Sequence, residues 1–172
     1  MINPDLLFVP PFYRAYVHLV KDQDLFDNFE QSGALTQQML SKISEDNGNY
    51  SYAPGKWTIK EVLCHMIDTE RIFAYRAMRF GRNDKTPLPG FEENDYAPEA
   101  NAHNRTVAVI AAEMNRLRLT TIDLYRSFTP AMLLRKGTAN NSEISVLNLG
   151  FVISGHETHH RNILNDRYQV KL

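Results

Sequence analysis

The chain has 172 residues, 43% of them hydrophobic and 23% charged, with 19 basic and 20 acidic side chains and a net charge of −1. That composition is the ordinary one of a soluble globular domain, here a single domain over residues 1–172. The charge balance offers no basic surface for nucleic acid. The sole cysteine, Cys64, excludes an intrachain disulfide and fits a reducing compartment. Met1 to Asp5 lacks the basic start and apolar core of a signal peptide, and no apolar run approaches a membrane span. A cytoplasmic location with no membrane partner is therefore expected.

Pro10-Pro11 opens a short helix through about Val20, since a proline at the first helical position gives up an N–H that would be unpaired there. Between Asp24 and Ser44, Leu25, Phe29, Leu35, Met39, Leu40 and Ile43 recur at near-helical spacing, with Ser32-Gly33 as a candidate bend. Asn47-Gly48-Asn49 ends the pattern, and Tyr50 to Gly55 reads as loop. Thr58 and Glu61 form a capping box that opens a helix with a broad apolar stripe of Ile59, Val62, Leu63, Met66, Phe73, Ala77 and Phe80. His65 lies on one flank of that stripe, in line with Thr69, Ile72 and Arg76, where it can look into a crevice between helices. Asn83 to Asn101 holds three prolines and Gly90, which suits a long crossover or a lid. Asn104 is the expected cap of the next helix, whose Ile110, Met114, Leu117, Thr121, Leu124 and Phe128 form a narrow bundle seam. Gly137 to Asn141 reads as loop, and the last helix starts near Ser145. No alternating strand pattern is evident, so the expected fold is all-α, a four-helix bundle with one long crossover loop.

The last helix carries Leu149, Ile153, His156, His160 and Leu164 along one stripe. His156 and His160 are one turn apart and offset by about 40° in projection, so both imidazoles can reach one ion. His159 lies on the other side of His156. The letters His156-Glu157-x-x-His160 also spell H-E-x-x-H, the zinc-metalloprotease pattern, with Glu157 in the general-base position. An open zinc or nickel site needs a third protein ligand, and the short tail after His160 contains no histidine and no glutamate. The third ligand must then come from upstream, which argues against an ordinary protease. His18 sits in the short first helix and His103 in the long loop, which leaves His65 at the edge of a strongly amphipathic helix. Glu157-x-x-His160 also matches half of a di-iron pattern, but no second copy exists. Taken singly, His65 is a satisfied core-edge histidine and His156/His160 a histidine-rich helix end; taken together they make a metal triad. Glu157 reads equally as a general base, a residue that orients a ligand, or a surface residue. Trp57 reads as a packing anchor, Cys64 as a structural thiol, and Arg76 and Arg79 as partners of carboxylates such as Glu70 or Asp68, or as holders of an anion.

The segments YAPGKWTIKEVLCH (Tyr52–His65), DTERIFAYRAMRF (Asp68–Phe80), PLPGFEENDY (Pro87–Tyr96) and GHETHH (Gly155–His160) resemble the DinB-like superfamily in order and spacing. The resemblance implies a four-helix bundle, often a homodimer, that holds a divalent metal on His65, His156 and His160. Some members are metal-dependent transferases that use a low-molecular-weight thiol such as bacillithiol, mycothiol or glutathione. The chemistry expected is therefore S-transfer from a small thiol, with metal-dependent hydrolysis or a non-catalytic dimeric metal-binding protein as the alternatives.

Overall fold

The computed structural model describes residues 3–171. Its helices are α1 (Arg14–His18), α2 (Leu25–Leu40), α3 (Ile59–Gly81), α4 (Glu93–Glu99), α5 (Val107–Arg126), α6 (Pro130–Leu133) and α7 (Val146–Arg167). Between α6 and α7 lies a small antiparallel hairpin, β1 (Lys136–Ala139) and β2 (Ser142–Ser145). The four long helices form a bundle in which α2 packs on α5 and α7, and α3 packs on the same two. Thus α2 and α3 face each other across the bundle diagonal, as do α5 and α7. No helix among the described residues is long and apolar enough to cross a membrane.

The ends of the long helices follow from local chemistry. Thr58 Oγ1 accepts from Glu61 N at 3.2 Å while the Glu61 carboxylate accepts from Thr58 N at 2.7 Å, the reciprocal box expected from the sequence. Ser145 caps α7 through Asn148 N at 3.1 Å. The cap of α5 is Thr106 rather than Asn104, because its hydroxyl accepts from Val109 N and Asn104 belongs to a preceding 3-10 turn.

Three expectations change. α2 runs unbroken through Ser32-Gly33, because the Ser32 side chain turns inward and bonds to Glu157 instead of to its own helix. The segment at 136–145 is a hairpin rather than loop: Asn140 and Asn141 both take positive φ (48° and 57°), the backbone a tight two-residue hairpin turn demands. The long crossover contains α4, and Leu88 bridges to Ala139, which ties the crossover to the hairpin.

Two apolar clusters form the core. One gathers Phe29, Phe73, Phe80, Tyr125, Leu149 and Phe151 around the hairpin end; the other gathers Met39, Leu63, Ile67, Ile110 and Leu164 toward the opposite end. Neither contains any residue of α7 between Ser154 and Ile163 as a buried member. Along that stretch α7 is nonetheless buried at Ser154, His156, Glu157, His160 and Arg161. The bundle therefore has a polar waist, and burial of polar groups must be offset by specific partners.

Candidate metal centre

His65 comes from the first half of α3, and His156 and His160 from the middle of α7, where the two helices pack together. Nε2 of His156 lies 3.0 Å from Nε2 of His65 and 3.1 Å from Nε2 of His160. One ligand atom from each of the three falls within 4.8 Å of the others. His156 and His160 are buried and His65 half-buried. His159 is half-buried and lies outside the ligand cluster, but its ring packs on those of His160 and Tyr16 and lines the same cavity. His18 and His103 are exposed and take no part in the cluster.

Burial disfavours the imidazolium at each position. It pushes His65 down to about 4, with the neighbouring His159 adding to the shift. It pushes His160 down to about 3, helped by His65 and His159, and drives His156 well below its ordinary value. Three neutral imidazoles with converging Nε2 atoms cannot satisfy one another, because His156 has only one proton to give at that nitrogen and two partners to meet. A divalent cation removes the conflict by accepting all three lone pairs. In tetrahedral zinc sites, Zn–N bonds of about 2.0–2.1 Å place ligand nitrogens roughly 3.3 Å apart. The donor set thus fits such an ion. Nδ1 of His160 is buried with no hydrogen-bond partner among the described residues, so packing against His65, His156 and His159 orients that ring.

Glu157 is neither at the surface nor at the triad. It is buried on the side of α7 that faces α2 and α5, where its carboxylate accepts from the Ser32 hydroxyl and from Arg118 Nη1 at 2.9 Å. Arg118 in turn holds Glu70 through two bonds, of 3.0 and 2.9 Å, and gives a third to the Phe29 carbonyl at 3.0 Å. Burial alone would lower the Arg118 pKa, but the charges of Glu157 and Glu70 outweigh it and raise the net value. Arg161 extends the network to the Ser32 carbonyl, Ser32 Oγ and Thr36. The carboxylate in the general-base position is committed to locking the waist.

The triad opens on a cavity of about 420 Å³. Its walls are Trp57, Tyr16, Phe73, Phe12, Tyr13 and Phe91, and its polar lining beyond the histidines is Thr69, Arg76, Glu93 and Asn140. The stripe His65, Thr69, Phe73 and Arg76 is one face of α3, so the alignment of His65 with Thr69 and Arg76 in the sequence does mark a cavity wall. Trp57 is more than a packing anchor: its carbonyl accepts from Tyr168 at 2.6 Å, and its ring lies 5.0 Å from that of His65 at the cavity's edge. Cys64 is buried and faces Arg105, away from the histidines, as a structural thiol should. The arginines divide. Arg79 pairs with Asp84 and Arg71 with Asp68, while Glu70 goes to Arg118. The aromatic residues Tyr13 and Tyr16 and the hairpin's Asn140 join the site from segments with no motif in the sequence.

A helical bundle with a histidine triad recessed between two of its helices and opening on a cavity is the class of protein that fold and site define. Residues 28–164 match the DinB superfamily, a stretch that takes in the whole polar waist, and the chain belongs to that family. It is 23% identical over 150 residues to a protein of Oceanobacillus iheyensis whose name proposes it as a metal-dependent hydrolase, covering 80% of this chain and 82% of the relative. Its fold resembles that of YfiT from Bacillus subtilis, described as a probable metal-dependent hydrolase with an unusual four-helix bundle topology. There the TM-score is 0.70 at 15% identity, over 95% of this chain and 91% of the other. It also resembles a mycothiol-dependent maleylpyruvate isomerase, with a TM-score of 0.66 at 13% identity over 90% and 67% of the two chains. At such identities the structural likeness is one of fold.

Proposed function

We propose that the chain is a metal-dependent enzyme for small molecules, in which His65, His156 and His160 hold one divalent cation, zinc or nickel, and the reaction is transfer of the sulfur of a low-molecular-weight thiol to an electrophile. A cation on three neutral ligands keeps its full charge and supplies the acidification of a bound thiol, or of water, that a nucleophilic attack at neutral pH requires. The protein's share is enclosure and orientation. Trp57, Tyr16 and Phe73 wall the cavity beside the triad and offer apolar contact to an electrophile. In the transfer a new carbon–sulfur bond forms, the electrophile's leaving group departs with its electron pair, and the thiol proton goes to solvent.

The observation that carries this reading is the commitment of Glu157 to Arg118 and Ser32. Hydrolysis at an H-E-x-x-H site uses that glutamate to take a proton from water, whereas a thiol needs no such base once its pKa is lowered. Hydrolysis is the second reading, favoured by the names of the Oceanobacillus relative and of YfiT. For it Glu93 or His159, both lining the cavity, would have to take the base's place.

The deciding experiment offers bacillithiol, mycothiol and glutathione, each with an alkylating electrophile, to the metal-loaded protein. The expected result is thioether formation above the spontaneous rate with at least one thiol, abolished by chelator and by His65→Ala. No reaction with any thiol, beside metal-dependent cleavage of a small ester or amide, would establish the hydrolase instead.

A further inference from the structure

Among the described residues, four cationic side chains are buried: Lys60, Arg76, Arg118 and Arg161. Lys60 meets Glu45 at 3.8 Å, Arg118 holds Glu70 and Glu157, and Arg161 binds Ser32 and Thr36 in the field of Glu157. Arg76 is different. It is 3% exposed, yet no ion pair within 4.0 Å among the described residues includes it. Its guanidinium gives one bond to the Pro89 carbonyl at 2.9 Å and a long one of 3.4 Å to the Tyr13 hydroxyl, and it stands 5.5 Å from the centre of the Phe73 ring. These contacts fix the group in place without neutralising it. A guanidinium stays charged at any accessible pH and has five N–H donors, so most of its capacity is unspent.

Holding an uncompensated charge out of water is costly, and buried charges are as a rule paired, so an anionic ligand would supply the partner missing here. Arg76 lines the same cavity as the triad. It follows His65 along one face of α3 at a distance of about 16 Å between main chains, and the arginine side chain is long enough to reach back toward the histidines.

We propose that Arg76 is the anchoring point for a carboxylate of the substrate, several bonds removed from the atom that reacts at the histidines. This rests on the reading of the cavity as a substrate site. A carboxylate suits it better than a phosphate. Glu93 lines the same cavity from its exposed side and would repel a dianion more strongly than a monoanion. A planar carboxylate also matches the fork of a guanidinium already held by Pro89.

The test uses Trp57, the chain's sole tryptophan, which lies in the cavity wall and reports occupancy by its fluorescence. The probes are 4-phenylbutyrate and its isosteric neutral amide, titrated into the full chain as purified and again after chelation. The acid should bind roughly ten- to hundredfold more tightly than the amide, the range of a charge-assisted hydrogen bond. That preference should vanish in Arg76→Gln, survive in part in Arg76→Lys, and be unchanged in Arg79→Gln, whose side chain is spent on Asp84. Because the acid–amide preference is read with and without metal, it stands or falls separately from the triad's activity. Equal affinity for acid and amide in the wild type, absence of acid binding at millimolar concentration, or a preference that persists in Arg76→Gln would overturn the proposal. Should Arg76→Gln fail to fold, the wild-type comparison and Arg76→Lys decide.

Discussion

Gly155 of α7 and Tyr16 of α1 are in contact through their main chains: a Cβ placed on Gly155 would lie 2.2 Å from the Tyr16 carbonyl oxygen. This close approach seats α1 on α7 and lays the Tyr16 ring against those of His156 and His159, with centroids 5.4 and 5.2 Å away. The glycine before the histidine pair is thus what lets the N-terminal segment wall the cavity.

Two effects oppose each other in Gly155→Ala. Alanine gains about 1 kcal/mol of helix propensity, while forcing a methyl group against a backbone atom that cannot rotate away costs about 1–3 kcal/mol. Since a 2.2 Å separation cannot be tolerated without moving α1, the second effect should win. A lowered melting temperature by thermal denaturation is expected; a raised one would show that α1 yields freely.

Glu157→Gln separates a base from a lock. Removing the charge leaves Arg118 with Glu70 alone and weakens the bond to Ser32, so destabilisation of about 2–3 kcal/mol is expected, less than for a buried pair left with no second partner. In a chain of this size that is roughly 4–12 °C in melting temperature. Metal content measured by elemental analysis should stay at the wild-type level in the folded fraction. Loss of turnover with no change in stability would restore Glu157 to the role of base.

Much of the fold and of the triad is legible in the residues themselves. The capping box at Thr58, the helix start at Ser145 and the stripes of α3 and α7 follow from local periodicity, and the histidine cluster follows from the same stripes. What local patterns do not reveal is non-local. The hairpin at 136–145 has strands of four residues, too short for alternation to stand out, and is held partly by Gly137 lying flat on Phe80 and by Leu88 from a distant loop. The role of Glu157 depends on Arg118 and Ser32 from two other helices, and nothing within His156–His160 announces them. The same holds for the arginines: only the folded chain shows that Glu70 serves Arg118 and that Arg76 has no carboxylate partner among the described residues.

The histidines also set a pH dependence in the metal-free protein. Their folded-state pKa values lie below the ordinary 6.5, near 4 for His65 and near 3 for His160. Above pH 6.5 neither state carries these protons. As pH falls below it, the unfolded chain takes up protons that the folded chain refuses, so stability is lost progressively from about pH 6.5 down to those folded-state values. Thermal melts in chelator should show a decline between pH 7 and 5 that is shallower in His160→Ala. Equal slopes in the two proteins would contradict the burial argument.

The central claim is that three particular histidines share one ion, and it is tested most directly by metal stoichiometry. Protein purified without chelator should carry about one divalent ion per chain by elemental analysis, and chelation should lower its melting temperature by mass action. His65→Ala, His156→Ala and His160→Ala should each lose the ion, while His159→Ala, whose ring nitrogens lie outside the converging ligand group, should keep it. Retention of stoichiometric metal by His160→Ala together with its loss in His159→Ala would contradict the account.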